Sequence, residues 1–392
     1  MDALTTPSNW QRVRLGDIGK PCMCKRVMKH QTTRYGEIPF YKIGTFGNTA
    51  DAFISKKLFL EYKTKYSFPK KGDILISASG TIGRTVIYDG KPAYFQDSNI
   101  VWIDNDETLV KNDFLFYAYS NIKWNTEHTT ILRLYNDNFR NTLIPLPPLN
   151  EQIAIANILS ALDHYLYTLD ALILKKESVK KALSFELLSQ RKRLKGFNQN
   201  WQRVRLGDIC EFGNGGAYET LIVENGDFKL ISLNSIDIDG NLKNTMKRVN
   251  FYDNSLKQDD IVMVLSDVAH GDFLGLCAVI PSNDYVLNQR MGRLRKRNDC
   301  VNILFLRLYI NANQKYFKMQ GQGSSQLNLS KKAIEDFEIP LPPLNEQAAI
   351  ANILSAFDSE IISLKNKKRQ FENIKKALNH DLMSAKIRVL NK

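Results

Sequence analysis

The 392-residue sequence has little of what several classes of protein require. Five cysteines are too few for a disulfide scaffold in a chain of this length, and such scaffolds belong to oxidising compartments. No apolar run approaches the ~18–20 residues of a membrane-spanning helix. The stretch at 1–17 has no apolar core of the kind that a signal peptide carries. We therefore expect a cytoplasmic protein that does not enter a membrane.

Common catalytic motifs are also missing. The pairs Gly19-Lys20 and Gly90-Lys91 are each followed by proline, so neither completes a phosphate-binding loop. The chain has no Asn/Asp-Pro-Pro-aromatic element of an amino-methyltransferase and no Pro-Asp dipeptide of the common nuclease motif. The cysteines and histidines show no metal-binding spacing, since Cys22 and Cys24 form only C-x-C. These absences favour a recognition protein over an enzyme, and we expect no metal site.

What is present in excess is positive charge. The 54 Lys and Arg against 41 Asp and Glu give a net charge of +13. A surplus of this size favours a polyanionic partner, nucleic acid first. Apolar residues make up 43%, enough for packed cores, and the length predicts two or three domains.

The sequence also contains an internal duplication. NWQRVRLGDI occurs at 9–18 and again at 200–209, while IPLPPLNEQIAIANILSALD at 144–163 returns at 339–358 with two changes. The stretches between these fixed segments resemble each other far less. A recent duplication without functional meaning would explain the matches. It would not explain why only the intervening blocks diverged, so we expect shared geometry from the fixed segments and two specificities from the variable ones.

A long helical pattern follows each Pro-Pro pair. Proline favours a helix start, and Asn150 and Asn345 are the expected N-caps. Apolar residues then recur at alternating steps of four and three, interrupted by lysines. The predicted seam consists of Ile155, Leu159, Leu162, Leu166, Leu169, Ile350, Leu354, Phe357, Ile361 and Leu364. Each helix would run about 40–45 residues, or roughly 60–65 Å.

Two such helices predict an α+β protein in which two α/β domains are separated by an antiparallel coiled coil with pseudo-twofold symmetry. An amphipathic helix packed on its own domain is the alternative. The expected boundaries are a first domain at 1–149, a first spacer at 150–196, a second domain at 197–344 and a second spacer at 345–392.

The doubled IPLPPLNEQ-plus-helix element, following the doubled W-x-RV-x-LGDI segment, resembles the specificity (S) subunit of type I restriction–modification systems. The likeness covers the whole chain. KKGDILISASGTIGRT at 70–85 and GQGSSQLNLSKKAIEDFEIPLPPL at 321–344 also resemble the family. The second half departs from the family where KQDDIVMVLSDVAHGDFLG at 257–275 replaces the SGTIG turn.

This resemblance implies a non-catalytic subunit with two target-recognition domains that bind a bipartite sequence in double-stranded DNA. It implies two methyltransferase subunits and motor-nuclease subunits as partners. S-adenosylmethionine, ATP and Mg would be bound by those partners, and this chain would bind no cofactor. The spacer surfaces, including the Asn-Glu-Gln starts, are expected to help dock the methyltransferases. The alternative function is a duplicated non-DNA adaptor whose coiled coil pairs two protein-binding domains.

Candidate DNA-binding residues fall in both variable blocks. In the first, they are a basic run and the residues around a glycine turn: Lys25, Arg26, Lys29, Ser79, Thr81 and Arg84. A solvated charge run and a structural hairpin turn are the alternatives. In the second, they are an arginine cluster and a polar loop: Arg290, Arg293, Arg295, Arg297, Gln322, Ser324, Ser325 and Gln326. Arginine suits phosphate or guanine, and amides suit adenine. A solvated edge strand and a plain surface loop are the alternatives.

Overall fold

The computed structural model describes residues 9–124, 127–128, 132–268 and 271–389. His270 and the first eight residues of the N-terminal stretch at 1–17 lie outside the described residues. The chain divides into two compact units. Unit 1 comprises Met1–Ala171 with Asn366–Lys392, and unit 2 comprises Leu172–Lys365.

Both units contain the same set of small sheets. In each, a four-stranded antiparallel sheet is accompanied by a three-stranded mixed sheet and a ribbon that pairs the first strand with the last. The strands of unit 1 are Gln11–Arg14, Gly19–Met23, Ile38–Tyr41, Phe53–Ile54, Ile74–Ser77, Thr85–Ile87, Tyr94–Phe95, Ile100–Asn105, Glu127–His128, Leu132–Arg133 and Leu143–Leu146. Those of unit 2 are Gln202–Arg205, Cys210–Asn214, Phe228–Ile231, Lys247–Val249, Ile261–Val264, Ser266–Val268, Cys277–Val279, Tyr285–Leu287, Met291–Lys296, Gln326–Asn328 and Glu338–Leu341.

Short helices lie between the strands. In unit 1 they are Leu15–Ile18, Lys29–Gln31, Lys56–Lys65, Asn112–Tyr119 and Asn136–Asn141. In unit 2 they are Leu206–Ile209, Glu219–Leu221, Leu233–Ser235, Ile303–Ala312, Gln314–Gln320 and Lys331–Glu335. Side-chain capping explains where several of these helices begin. Ser55, Asn302 and Ser330 each accept a hydrogen bond from a first-turn amide with their side-chain oxygen, as N-caps do.

Each unit has its own apolar cores. The strands Ile74–Ser77 and Ile261–Val264 are buried at every position, because each lies between two neighbouring strands. Bulky side chains fill unit 1, including Trp102, Tyr94 and Phe114. Unit 2 is filled in the same way around Phe305 and Phe317. These separate cores confirm two α/β domains.

The two long helices are Leu149–Leu188, called spacer helix 1, and Leu344–Met383, called spacer helix 2. Each is 40 residues long, as the heptad pattern predicted. Each begins directly after the Pro-Pro pair, so Asn150 and Asn345 lie within the first turn. The prediction that they are N-caps was therefore wrong by two positions, because Pro148 and Pro343 occupy the N-cap positions. All ten predicted seam residues are buried or half-buried.

Antiparallel pairing of the spacer helices occurs inside each unit. In unit 1, Asp170 pairs with Lys368 at 2.6 Å, and Asp163 pairs with Lys375. In unit 2, Glu177 pairs with Lys365 at 2.8 Å, and Lys180 pairs with Asp358. Within each unit, the pair with the later residue of spacer helix 1 has the earlier residue of spacer helix 2, which is the order of an antiparallel pair. The lysines that interrupt the apolar seam therefore have acidic partners on the opposite helix.

The starts of the spacer helices pack into the units themselves. Ile155 and Leu159 belong to a core of unit 1, and Ile350 and Leu354 belong to a core of unit 2. The alternative expectation, a helix packed on its own domain, thus describes the helix starts, while the coiled-coil expectation describes the middle segments.

The glutamates of the two Asn-Glu-Gln segments form hydrogen bonds inside their own units. Glu151 accepts hydrogen bonds from Trp10 Nε1 at 3.0 Å and from Arg388 Nε at 2.7 Å. Glu346 accepts the same pair of bonds, from Trp201 Nε1 at 3.0 Å and from Arg193 Nε at 2.8 Å.

The glutamines behave alike. Gln152 and Gln347 are each at most 1% exposed and bind backbone groups around the Pro-Pro turn. The expectation that these Glu and Gln side chains dock a partner was wrong, because burial withdraws them from any partner. They fix each domain to its helix instead.

Three further findings concern disulfides, membrane-spanning helices and metal sites. All five cysteines are free thiols. Within the described ranges, no helix is both long and apolar enough to cross a membrane. Over the same part of the chain, no group of three or more His, Cys, Asp or Glu side chains is arranged to hold a metal ion.

Candidate nucleic-acid interface

Three segments that are distant in sequence meet at one junction in each unit, and the predicted glycine turn of unit 1 and Arg290 of unit 2 lie there. In unit 1, Ala78 N donates to Asn99 O at 2.8 Å, and Leu134 N donates to Ala78 O at 2.9 Å. In unit 2, Leu265 N donates to Arg290 O at 3.0 Å, and Leu329 N donates to Leu265 O at 2.8 Å. Three segments that are distant in sequence are thus tied side by side by the same backbone bonds. We call this arrangement the three-segment junction.

The glycine turn of unit 1 lies on its junction. Ser79 is buried, its hydroxyl donates to Asn99 Oδ1 at 2.7 Å, and its backbone bridges to Arg133. Thr81 and Arg84 are exposed. Arg84 Nη1 donates to Phe46 O at 3.0 Å, and Thr81 and Arg84 both line a cavity of about 310 Å³. The turn therefore presents Thr81 and Arg84 to solvent while Ser79 holds the segments together.

The basic run of unit 1 is exposed throughout, although two of its members have neighbours. Lys25 Nζ lies 5.1 Å from the centroid of the Tyr66 ring. Arg26 Nε lies 3.5 Å from Asp97 of the loop that precedes Asn99. Lys29 begins the short helix Lys29–Gln31. These cations remain available to solvent, where phosphate contacts are made.

The arginine cluster of unit 2 is largely occupied by partners inside the unit. Arg293 pairs with Glu211 at 2.8 Å. Arg295 forms a two-bond pair with Asp260, at 2.8 and 2.6 Å, and these hydrogen bonds raise the pKa of its guanidinium. Arg297 Nε donates to the carbonyls of Gly207 and Cys210. The strand Met291–Lys296 lies between two neighbouring strands, so the edge-strand alternative was wrong. Its Arg293 and Arg295 are bound by acids that come from elsewhere in the sequence.

Arg290 differs from its neighbours. It is exposed, and among the described residues its side chain has no hydrogen-bond or ion-pair partner. It lines a cavity of about 270 Å³ beside Asn234 and Gln289. The cluster predicted from sequence therefore contains one guanidinium that is free for an external ligand.

The polar loop of unit 2 lies at the same junction as Arg290. We call the polar side chains that each junction presents to solvent its rim. Gln322, Ser324 and Ser325 are exposed, and Gln326 is half-buried at the start of the strand Gln326–Asn328. That strand pairs with Ser266–Val268, which stands where unit 1 has its glycine turn. The loop and Arg290 therefore lie at the same junction, because the Leu265 backbone is hydrogen-bonded both to Arg290 and to Leu329, which follows the loop's strand.

Residues missed from the sequence include Asn99, Asn234 and Gln289. Asn99 anchors the junction of unit 1, and the other two share the Arg290 cavity. Their polar character is unremarkable in sequence, since Asn and Gln are common in loops. Only the three-dimensional junction singles them out.

This architecture defines a class of protein: duplicated α/β domains with matching backbones and different polar rims, joined through two long antiparallel helices. The chain belongs to the family of the type I restriction modification DNA specificity domain, whose model matches residues 7–176 and 198–373. This membership confirms the resemblance seen in the sequence. It identifies a DNA-recognition subunit and does not favour the adaptor alternative.

Curated relatives agree with this assignment. A putative type I restriction enzyme specificity subunit from Haemophilus influenzae is 64% identical over 148 residues, which span 38% of this chain and 38% of that protein. The MjaVIII specificity subunit of a type I restriction enzyme from Methanocaldococcus jannaschii is 29% identical, across 100% of this chain and 96% of its own length.

Solved structures show the same fold. The S subunit of a type I restriction–modification system from M. genitalium superposes with a TM-score of 0.65 at 19% identity, covering 97% of both chains. A chain from a structure on complex assembly and conformational transition of the type I R-M system gives a TM-score of 0.59 at 18% identity, over 97% of this chain and 98% of that one. The expected fold class is confirmed.

Proposed function

We propose that this chain is the non-catalytic specificity subunit of a type I restriction–modification complex, and that each unit recognises one half of a bipartite DNA target. The observation that carries this proposal is the three-segment junction. The same backbone bonds recur in both units, whereas the side chains on the rim differ. One scaffold with two sets of side chains is what recognition of two dissimilar half-sites requires.

The proposed DNA contacts are the exposed members of the predicted set. Lys25, Arg26 and Lys29 supply positive charge in unit 1, with Thr81 and Arg84 at the turn. Arg290 and the loop Gln322–Gln326 supply contacts in unit 2. Ser79, Arg293, Arg295 and Arg297 hold other protein groups, so we assign them to positioning the rim.

The proposed partners are two methyltransferase subunits and motor-nuclease subunits. Apolar side chains exposed on the spacer helices support docking there. They are Leu149, Ile153, Ile158, Leu172, Leu174, Val179, Phe185, Leu344, Ile362 and Ile374. The two spacer helices together carry more of the exposed large apolar side chains than any other element, and contiguous exposed apolar surface is typical of protein interfaces.

We assign the chemistry to the partners. They would bind S-adenosylmethionine for methyl transfer, and ATP with Mg for the motor, and the complex would act on DNA in the cytoplasm. The missing phosphate-binding and methyltransferase motifs of this sequence support the division of labour.

The test is a methylation map of the host genome with and without this gene. We expect the loss of one split adenine motif when the gene is deleted, and its return with the gene on a plasmid. Purified chain should bind duplex DNA with affinity that falls steeply with salt, since counterions leave the phosphates. An unchanged methylation map, or salt-independent binding, would contradict the proposal and favour a protein adaptor.

A further inference from the structure

We propose that unit 2 recognises a guanine with Arg290, at a base-binding cavity that it forms with Gln289 and Asn234. This inference rests on the proposed function and assigns one residue to one base. The cavity has a volume of about 270 Å³, and its polar lining includes Glu219, Asn234, Lys247, Asn288, Gln289 and Arg290.

The floor of the cavity is fixed before any ligand arrives. Asn288 is 1% exposed; its Oδ1 accepts from Tyr218 N at 3.1 Å, and its Nδ2 donates to Glu219 Oε1 at 2.7 Å. The other Glu219 oxygen lies 3.3 Å from Lys247 Nζ. The one carboxylate of the lining is therefore neutralised and hydrogen-bonded, so it does not need the Arg290 guanidinium as a partner.

The rim has three unsatisfied recognition groups. Across the described part of unit 2, the side chains of Asn234, Gln289 and Arg290 have no hydrogen-bond partner within the protein, whereas Arg293 and Arg295 are bound to acids. A guanidinium presents two parallel N–H groups that match O6 and N7 of guanine, and amides match the donor and acceptor pattern of adenine. The three side chains at the edge of this cavity can therefore form the hydrogen bonds that recognise a base.

The backbone supports the same conclusion. Arg290 has a φ of 66°, a left-handed conformation that is costly for a residue with a side chain. The junction bond makes Asn99 the counterpart of Arg290 in unit 1, and the left-handed residue of that loop, Ser98 with a φ of 53°, lies one position before it. In both units this loop follows the strand that pairs in parallel, Tyr94–Phe95 or Tyr285–Leu287, and leads directly into the junction.

Arg290 keeps this strained conformation although glycine would be unstrained there. Strain at a residue with a long polar side chain points to a functional constraint on that side chain. The loop of unit 1 has three residues, 97–99, where unit 2 has only Gln289 and Arg290. The two loops therefore present different hydrogen-bonding groups at the same junction.

The experiment uses the complex purified from the host through a tag on this chain, and duplexes that carry its mapped target. Each guanine is replaced in turn by 7-deazaguanine, which lacks the N7 acceptor. We expect the wild-type complex to lose roughly 5- to 150-fold in affinity at one guanine of one half-site. Arg290→Ala should bind more weakly and be indifferent to that same replacement.

Arg290→Lys separates a base contact from a phosphate contact. It keeps the positive charge but lacks the planar two-pronged donor set. Because an ammonium group can still donate one hydrogen bond to guanine N7, we expect Arg290→Lys to keep only part of the wild-type sensitivity to 7-deazaguanine. Lys315→Ala, which removes an exposed charge of the same unit, should retain the wild-type sensitivity. Thermal melting of each variant establishes that it is folded.

Two results would overturn the inference while the proposed function stands. One is a mapped split target in which Arg290→Ala retains sensitivity to every guanine replacement. The other is full recovery by Arg290→Lys with only a shallower salt dependence for Arg290→Ala, which indicates a phosphate contact. The absence of any split target would contradict the proposed function itself, and this inference with it.

Discussion

At the scale of single residues, the duplicated chain repeats one tight turn with two different residues at its most restrictive position. In unit 1, Gly72 has a φ of 95°, and its amide donates to Tyr88 O at 2.9 Å. In unit 2, Asp259 has a φ of 67°, and its amide donates to Ile280 O at 2.9 Å. Glycine adopts this conformation freely, whereas a residue with a Cβ is strained there.

We predict that Asp259→Gly stabilises the protein by about 0.5–1 kcal/mol, because the left-handed backbone is then unstrained. The measurement is the midpoint of urea unfolding followed by circular dichroism. The matched control is Gly72→Asp, which should destabilise by a similar amount. No atom lies within 4 Å of a Cβ built at Gly72, so only the backbone conformation is tested. A lower midpoint for Asp259→Gly would contradict the argument.

Single residues also show where sequence reasoning stopped. The pattern around Arg293 and Arg295 predicted an extended segment with alternating arginines, and a strand is found there. It did not predict which arginine is free, because the acids that pair with them, Glu211 and Asp260, lie 82 and 35 positions away. Left-handed residues such as Ser98 and Arg290 were equally invisible, since neither is glycine.

At the scale of elements, the Glu-Trp-Arg contact at each helix start explains why the same short segment occurs twice. The carboxylate of Glu346 is 1% exposed and joins a tryptophan before the domain, an arginine after spacer helix 1 and the first turn of spacer helix 2. Its counterpart Glu151 does the same in unit 1. Each contact closes its unit by tying segments from both ends together.

We predict that Glu346→Ala destabilises the protein by about 3 kcal/mol, because it leaves a partly buried guanidinium and an indole N–H without their acceptor. Equilibrium urea unfolding measures the loss. Glu224→Ala removes an exposed carboxylate of the same unit and should cost about 0.5 kcal/mol or less. Equal effects of the two substitutions would show that the buried contact contributes nothing special.

The lysines that interrupt the heptad seam also act at this scale. Lys180 and Asp358 are each 26% exposed in their side chains and pair within unit 2. A polar pair inside an apolar seam fixes the register of two helices, since a slip would leave both charges unpaired. The sequence predicted the helix length well because the period is local. It did not predict the starting residue, since Pro-Pro-Leu-Asn is compatible with more than one first turn.

A double-mutant cycle tests this pair. We predict a coupling energy of about 1 kcal/mol between Lys180→Met and Asp358→Ala, measured by urea unfolding of the two single variants and the double variant. The exposed pair Glu61 and Lys65, one turn apart on a single helix, should couple by only about 0.3–0.5 kcal/mol. A coupling near zero at Lys180 and Asp358 would remove their role in setting the register.

At the scale of the whole molecule, the two units differ in how they can attract DNA. The first variable block, residues 1–149, has 20 Lys and Arg against 14 Asp and Glu, whereas residues 197–344 have 17 of each. Phosphate attraction should therefore come mainly from unit 1. Unit 2 has no surplus, so its binding depends on individual side chains such as Arg290 and on the loop Gln322–Gln326.

Separate cores give the last prediction. Each unit builds its apolar interior from its own residues, so a substitution on the rim of one junction leaves the other rim unchanged. We predict that Thr81→Ala relaxes the base preference in one half of the methylated target and that Gln322→Ala relaxes it in the other half. Genome-wide mapping of methylated adenines in hosts that carry each variant measures both halves at once.

The pattern of change matters more than its size. A hydroxyl or amide that contacts one base contributes about 1–3 kcal/mol of discrimination, enough to make a single position degenerate without abolishing methylation. Combining the two substitutions should give the sum of the two single patterns, because distant sites without shared partners are additive. If either single variant altered both halves together, the two junctions would not be independent recognition sites, and the division of the target between the two units would have to be abandoned.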